Sequence, residues 1–272
     1  MSDPLMTRTA RTISISNQKG GVGKTTTTIN LGAALVSQGK RVLLIDLDPQ
    51  GNASTGLGIL PEDRELTSYD VLLEDTPLAE AIVSTETEGL DIIPSTVDLS
   101  SADIELMSNE KRSFLLQDAL LAAQANNAYD YILIDCPPSL NLLTVNAMVA
   151  SDSVLVPLQS EFFALEGLSQ LMLTIREIRS TANARLRIEG VVLTMFDRRN
   201  NLSQQVEADA RENLGDLVFK TVIPRNVRLS EAPSFAMPVL EYDPNSKGSR
   251  AYMQLAAEVL RRRESKPKKG EQ

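Results

Sequence analysis

The stretch SNQKGGVGKTTTTINLG, residues 16–32, constrains the fold more than any other part of the chain. Gly20, Gly21 and Gly23 free the backbone to curl, so that successive N–H groups can turn toward one anion. The residues before the loop, 12–16 (TISIS), read as a strand. Those after it, from 26 to 38, read as a helix with Gly39 as its C-terminal cap. Residues 42–45 (VLLI) form a short apolar run of the kind buried on both faces of a sheet. Strand, loop, helix and strand in this order make a βαβ unit, whose parallel strands need a crossover.

A phosphate loop has a glycine, four residues and then Gly-Lys-Ser/Thr. Gly23, Lys24 and Thr25 supply the end, but the first glycine position holds Gln18, and Lys19 follows it. The dinucleotide pattern G-x-G-x-x-G fails, because its third glycine would be Thr26. A triphosphate is therefore the expected ligand. Lys24 can reach the β- and γ-phosphates, the Thr25 hydroxyl can ligate Mg²⁺, and the following helix adds its positive end.

The pattern of short apolar runs repeats at 90–93, 131–134, 153–156 and 190–193, with helical stripes at 161–179, from 203 to 215, and at 252–260. The expected fold is α/β: a single doubly wound, mostly parallel sheet flanked by helices, of the P-loop NTPase type. The expected divisions are a leader over 1–11, one domain over 12–262, and a basic polar tail over 263–272.

Composition removes several chemistries. With no histidine and one cysteine, Cys136, among 272 residues, the chain cannot build a His-based triad, an ordinary zinc site or an internal disulfide. A reducing cytosol fits that cysteine usage. No window of 18 apolar residues suggests a membrane span, and residues 1–11 lack the apolar stretch of a secretory signal. The net charge of −9 speaks globally against nucleic acid, but binding needs only a local basic patch.

Two further apolar strands end in acids. LLIDLDPQGN carries Asp46 and Asp48, and YILIDCPPS carries Asp135. Ligands of open α/β sheets bind at the carboxyl ends of strands, so these acids are expected to share the crevice of the glycine loop. An acid near a γ-phosphate and a metal can orient water for in-line attack.

Taken together, KGGVGKTT (19–26), DLDPQGN (46–52), IDCPPS (134–139) and IPRNVRLSEAPS (223–234) resemble the ParA/Soj family of deviant-Walker-A partition ATPases in the MinD/ParA superfamily. The resemblance covers residues 12–262 and implies an ATP- and Mg²⁺-dependent ATPase, weak alone and stimulated by a partner. Lys19 matches the signature lysine, which reaches across a homodimer to the other subunit's ATP. Lys24 and Asp48 match the remaining catalytic positions. Residues Gly20, Gly21, Val22, Gly23, Lys24, Thr25 and Thr26 match the phosphate cradle. Thr25 is the implied direct Mg²⁺ ligand, Asp135 acts through water, and Asp46 supports the magnesium shell. Pro224 and Asn226 match the adenine-contacting segment, with Met195 near the same pocket.

The resemblance also implies ATP-dependent binding to double-stranded DNA without sequence preference. Arg199 and Arg228 match DNA-contacting positions. Arg198 and Arg225 lie beside them in sequence, and Lys247 and Arg250 are expected just ahead of the last helix. A ParB-type centromere-binding partner, cytoplasmic and nucleoid-associated localisation, and a role in chromosome or plasmid partition complete the expectation. A MinD-like membrane ATPase is the alternative. It needs an amphipathic C-terminal helix, and here the apolar stripe stops at Leu260. A non-catalytic nucleotide-binding module would not need Lys24, Thr25, Asp48 and Asp135 together. A plasmid-type relative with its own DNA-reading domain would need a helix-turn-helix ahead of residue 12, for which no room is expected.

Overall fold

Along β2 (Val42–Asp46), Val42 and Leu44 pack into one apolar cluster while Leu43 and Ile45 pack into another, on the opposite side. That alternation is the two-residue period of a strand with both faces covered. The computed structural model describes residues 10–124, 128–161 and 164–264. Among them, β1 (Arg11–Ile15), β2, β3 (Val83–Ser84), β4 (Leu90–Ile93), β5 (Tyr131–Asp135), β6 (Ser153–Gln159) and β7 (Arg187–Thr194) form one sheet in the order β3-β4-β2-β5-β1-β6-β7. All neighbouring pairs are parallel except the edge pair β3–β4.

The longer helices are α1 (Lys24–Val36), α2 (Leu115–Gln124), α3 (Leu142–Val149), α4 (Ala164–Thr181), α5 (Asn201–Leu214) and α6 (Lys247–Glu264). α1 and α6 cover one face with Ile13, Ile15, Leu44 and Leu133. α2 and α3 cover the other with Ile45, Ile132 and Ile134. α4 and α5 close the end of the sheet over Val154, Val156, Val191 and Leu193. The sheet is thus doubly wound, as expected.

α1 contains four threonines, which are weak helix formers, yet ten of its residues are buried. Tertiary packing therefore holds it, and Tyr252 of α6 joins Thr27 through their hydroxyls at 3.2 Å. Tyr252, Leu255, Ala256 and Val259 lie in the same core, so the apolar stripe of α6 faces protein. Among the described residues no helix is long and apolar enough to cross a membrane.

Among the boundaries that differ from expectation, two touch residues singled out in the sequence. β1 starts at Arg11, which is buried and paired with the carboxylate of Glu189, so this residue belongs to the sheet rather than to a leader. α6 starts at Lys247, because the Ser246 hydroxyl caps it by accepting from the Ser249 N–H at 3.0 Å. Lys247 and Arg250, expected ahead of the last helix, therefore stand in its first turn. Residues 1–9 and 265–272, most of the expected leader and tail, lie outside the described residues.

Candidate active site

The carboxyl ends of the three central strands meet in one row. Ile15 of β1 pairs with Asp135 of β5, which pairs with Asp46 of β2. The glycine loop leaves β1 at this edge and enters α1. Gly21 and Gly23 have φ of 73° and 87°, the left-handed region that glycine alone adopts without strain. Among the described residues, apart from its chain neighbours, no atom lies within 4 Å of where a Cβ on Gly21 would stand. The far side of the loop is pinned, since the Thr194 hydroxyl at the end of β7 donates to the Val22 carbonyl at 2.8 Å.

α1 begins with Gly23 in its capping position, without a side-chain cap and without an acid in the first turn. Elsewhere Thr67, Asn141, Asn200 and Asn226 cap the helices that follow them. The first-turn N–H groups of α1 are thus left for an anion from outside. Lys24 is buried, and its ammonium donates to the Lys19 carbonyl at 3.2 Å. Burial pulls its pKa down, while the carboxylates of Asp135 and Asp48 hold it up.

Asp135 is fully buried. Its Oδ1 accepts from the Thr28 hydroxyl at 3.0 Å, while among the described residues no donor lies within hydrogen-bond distance and angle of Oδ2, and the Thr25 hydroxyl acts on the carboxyl as a further neighbour. Burial first, then the charge of Asp46, pushes this carboxyl up to about 8, against the pull of the Thr25 and Thr28 hydroxyls. Burial likewise raises Asp46 to about 6, although hydrogen bonds from Ser54 and Asp48 oppose it.

Both carboxyls start from about 3.8, so through the window from there to about 8 the folded protein binds more protons than the unfolded chain. Stability of the nucleotide-free protein therefore falls as pH rises through this window. Asp135→Asn is expected to flatten that fall and to raise the melting temperature at about pH 8 more than at about pH 5. Thermal melts of both proteins at the two pH values check this, and equal slopes would overturn it.

The residues present fit a triphosphate with Mg²⁺: an open glycine cradle, an uncapped helix, a buried ammonium and a buried Asp135 oxygen that takes no donor among the described residues. Among the described residues no three acidic or cysteine side chains gather as a metal cage. Mg²⁺ does not need one, because it takes one or two protein ligands and completes its octahedron with phosphate oxygens and water.

Asp46, expected to support the magnesium shell, spends both oxygens on its own loop. Oδ1 accepts from the Asp48 N–H at 3.1 Å, and Oδ2 accepts from the Ser54 N–H at 3.0 Å and hydroxyl at 2.8 Å. Its position is that of an organiser of the Asp48 segment. Asp48 accepts from the Gln50 N–H at 3.0 Å through Oδ1, and among the described residues no donor takes its Oδ2.

Lys19 is exposed on the rim of the loop, where its ammonium pairs with Glu161 at 2.7 Å. Met195 follows β7 with a φ of 51°, and the next residue, Phe196, bridges Pro224, so the structure brings Met195 and Pro224 together. Asn226 caps the short helix Val227–Glu231, with its side-chain oxygen accepting from the Arg228 N–H at 2.9 Å.

The six expected DNA-contacting cations are all exposed. The N–H of Arg225 donates to the Phe196 carbonyl at 3.0 Å, which places it beside the loop of Arg198 and Arg199. Leu229, next to Arg228, packs so closely on Gly248 that a Cβ there would stand 2.8 Å from its side chain, which sets the first turn of α6 against the short helix that carries Arg228. Arg199 makes a two-pronged pair with Asp197, and Arg228 pairs with Glu231 at 2.8 Å and Asp243 at 3.3 Å. These carboxylates, together with Thr28, Ser54 and Glu161, escaped the sequence reading. Only Thr28 left a signal there, since it stands one helical turn after Lys24.

A family described as AAA domain matches residues 10–188. The chain is 62% identical over 252 residues to the chromosome partitioning protein ParA of Caulobacter vibrioides, spanning 93% of this chain and 94% of that protein. It is 56% identical over 247 residues to the sporulation initiation inhibitor protein Soj of Bacillus subtilis, spanning 91% and 97%. Among solved structures it is similar to the cobyrinic acid a,c-diamide synthase of Mycobacterium smegmatis with bound ATP analog and magnesium, at 37% identity and a TM-score of 0.81 over 94% of this chain and 96% of that one. The glycine loop with its extra lysine, the acid row beside it and near-full-length identity to these relatives agree: the chain belongs to the ParA/Soj family of chromosome-partitioning ATPases.

Proposed function

We propose that this protein hydrolyses ATP as a two-subunit switch that holds DNA in its ATP-bound state and lets go after hydrolysis. The observation that carries the proposal is the uncapped N-terminus of α1 beneath the glycine loop, with the buried Lys24 ammonium at its first residue. Loop N–H groups and Lys24 bind the phosphates. Thr25, and Asp135 through water, would hold Mg²⁺, which supplies neutralising charge to the phosphate oxygens. Asp48, with a carboxylate oxygen to spare, orients the attacking water. Met195, Pro224 and Asn226 border the adenine. Lys19 of each subunit completes the phosphate site of the other.

Pairing two subunits doubles the basic rim of Arg198, Arg199, Arg225, Arg228, Lys247 and Arg250, so ATP gates DNA affinity without a new kind of contact. Arginine forks pair with phosphates and read no sequence. A ParB-type partner is expected to stimulate hydrolysis and so release the protein from the nucleoid. Phosphate release measured with duplex DNA and a ParB-type protein, separately and together, tests the scheme. Turnover should be highest with both present, and absence of hydrolysis in every condition would sink it.

Arg199→Glu or Arg228→Glu is expected to abolish ATP-dependent DNA binding while ATP-dependent dimerisation persists. With two arginines per subunit engaged, doubling the salt should weaken wild-type binding roughly tenfold. DNA affinity retained in both variants, read by a filter or mobility-shift assay, would remove these arginines from the interface.

A further inference from the structure

The loop that carries Asp48 is tied down by a residue that motif reading passes over. Arg64 lies beyond the short helix Asn52–Gly56, and its guanidinium spans three chain segments. Nε donates to the Ile59 carbonyl at 3.1 Å, and Nη2 donates to that same carbonyl at 2.8 Å, to the Gly51 carbonyl at 3.3 Å and to the Thr55 hydroxyl at 2.7 Å. Nη1 crosses to the Ser95 carbonyl at 2.7 Å, in the segment that follows β4.

The backbone is shaped around this group. Gly51 has a φ of 61°, and a Cβ there would stand 2.3 Å from Nη1 of Arg64 and 2.8 Å from the Ser95 carbonyl oxygen. A second tie closes the circuit. The Ser95 N–H donates to the Ser54 hydroxyl at 3.1 Å, Ser54 holds Asp46, Asp46 holds the Asp48 N–H, and the Asp48 carbonyl accepts from the Gly51 N–H at 2.8 Å. Asp48 is thus fixed from both sides, by Asp46 behind it and by the Arg64-held turn ahead of it.

Among the described residues Arg64 forms no ion pair with a carboxylate. All its acceptors are neutral, and most are backbone carbonyls. A partly buried cation spent on neutral acceptors is a costly way to stabilise a loop that apolar contacts could hold. It is an effective way to fix one geometry, since a planar fork sets several acceptors at once and an ammonium does not. We propose that Arg64 is a positioning residue for hydrolysis, holding the Asp48 loop at a fixed distance from the phosphate loop. The inference rests on the reading of Asp48 as the residue that orients water.

The test compares Arg64→Ala, Arg64→Lys and Gly51→Ala with the wild type, and with Asp48→Ala as reference. Steady-state phosphate release is measured at saturating Mg-ATP with DNA and a ParB-type protein, and nucleotide affinity with a fluorescent ATP analogue. Thermal melts report folding. In all three loop variants kcat is expected to fall about 10- to 100-fold, the effect of a small misplacement of a reacting group. Nucleotide affinity should stay near wild type, because the phosphate loop is elsewhere. Arg64→Lys keeps the charge and most of the stem, so it decides the question if Arg64→Ala or Gly51→Ala fails to fold. Wild-type kcat in Arg64→Lys would overturn the proposal, as would a parallel loss of kcat, nucleotide affinity and melting temperature. If Asp48→Ala itself hydrolyses normally, the underlying reading of Asp48 is what fails.

Discussion

Replacing Asp48 by alanine is expected to cut ATP turnover by about 100- to 10,000-fold, the range covered by removal of a positioned acid or base. ATP binding, dimerisation and DNA retention should survive. The separation follows from geometry. On the proposed reading the phosphates are held by the glycine loop and Lys24 after β1, whereas Asp48 follows the end of β2, two strands away, anchored through its own N–H on Asp46. Alanine keeps that backbone bond and loses only the carboxylate. The variant should therefore remain in the ATP state and stay on DNA. Phosphate release read beside DNA co-sedimentation checks this. Hydrolysis near the wild-type rate would end the assignment, and loss of DNA retention would show that Asp48 serves binding instead.

Lys19→Ala is expected to leave ATP binding to the single subunit intact while removing ATP-dependent dimerisation and, with it, DNA binding. The Lys19 side chain is exposed rather than part of the core. Its visible partner is Glu161, in a pair whose side chains are 43% and 49% exposed, and such pairs add little to stability. The Lys19 N–H donates to the Asn17 side-chain oxygen at 3.0 Å, a backbone bond that alanine can also make, so the loop is expected to keep its shape. What disappears is a cation on the rim of the phosphate site. Sedimentation velocity with ATP reads the outcome, and a dimer at the wild-type level would show that the lysine acts only within its own subunit.

Much of the fold could be read because strands buried on both faces announce themselves as apolar runs. β4 falls on the expected residues 90–93, and β1, β2 and β5 depart from expectation by a residue or so at their ends. β3 could not be read, since two residues at an edge, Val83 and Ser84, hold no period. The acids of the site were legible as strand endings. Their neighbours were not, for a physical reason: Lys19 and Glu161, or Arg64 and Ser95, meet only after the sheet is assembled. Arg64 in particular chooses backbone carbonyls, which every residue has, so no sequence pattern marks its partners.

The exposed arginines are not bare. Asp197 already occupies the fork of Arg199, and Glu231 and Asp243 already occupy Arg228. On the proposed reading, a nucleic acid arriving here would exchange one anion for another rather than fill an empty electrostatic trough, and the evicted carboxylates would stay nearby to compete for return. Each single contact is then shallow and quickly reversed. A grip of that kind would exist only while many contacts act in concert, so the parting of two subunits would dissolve it, and between those events the protein would be free to wander over the duplex.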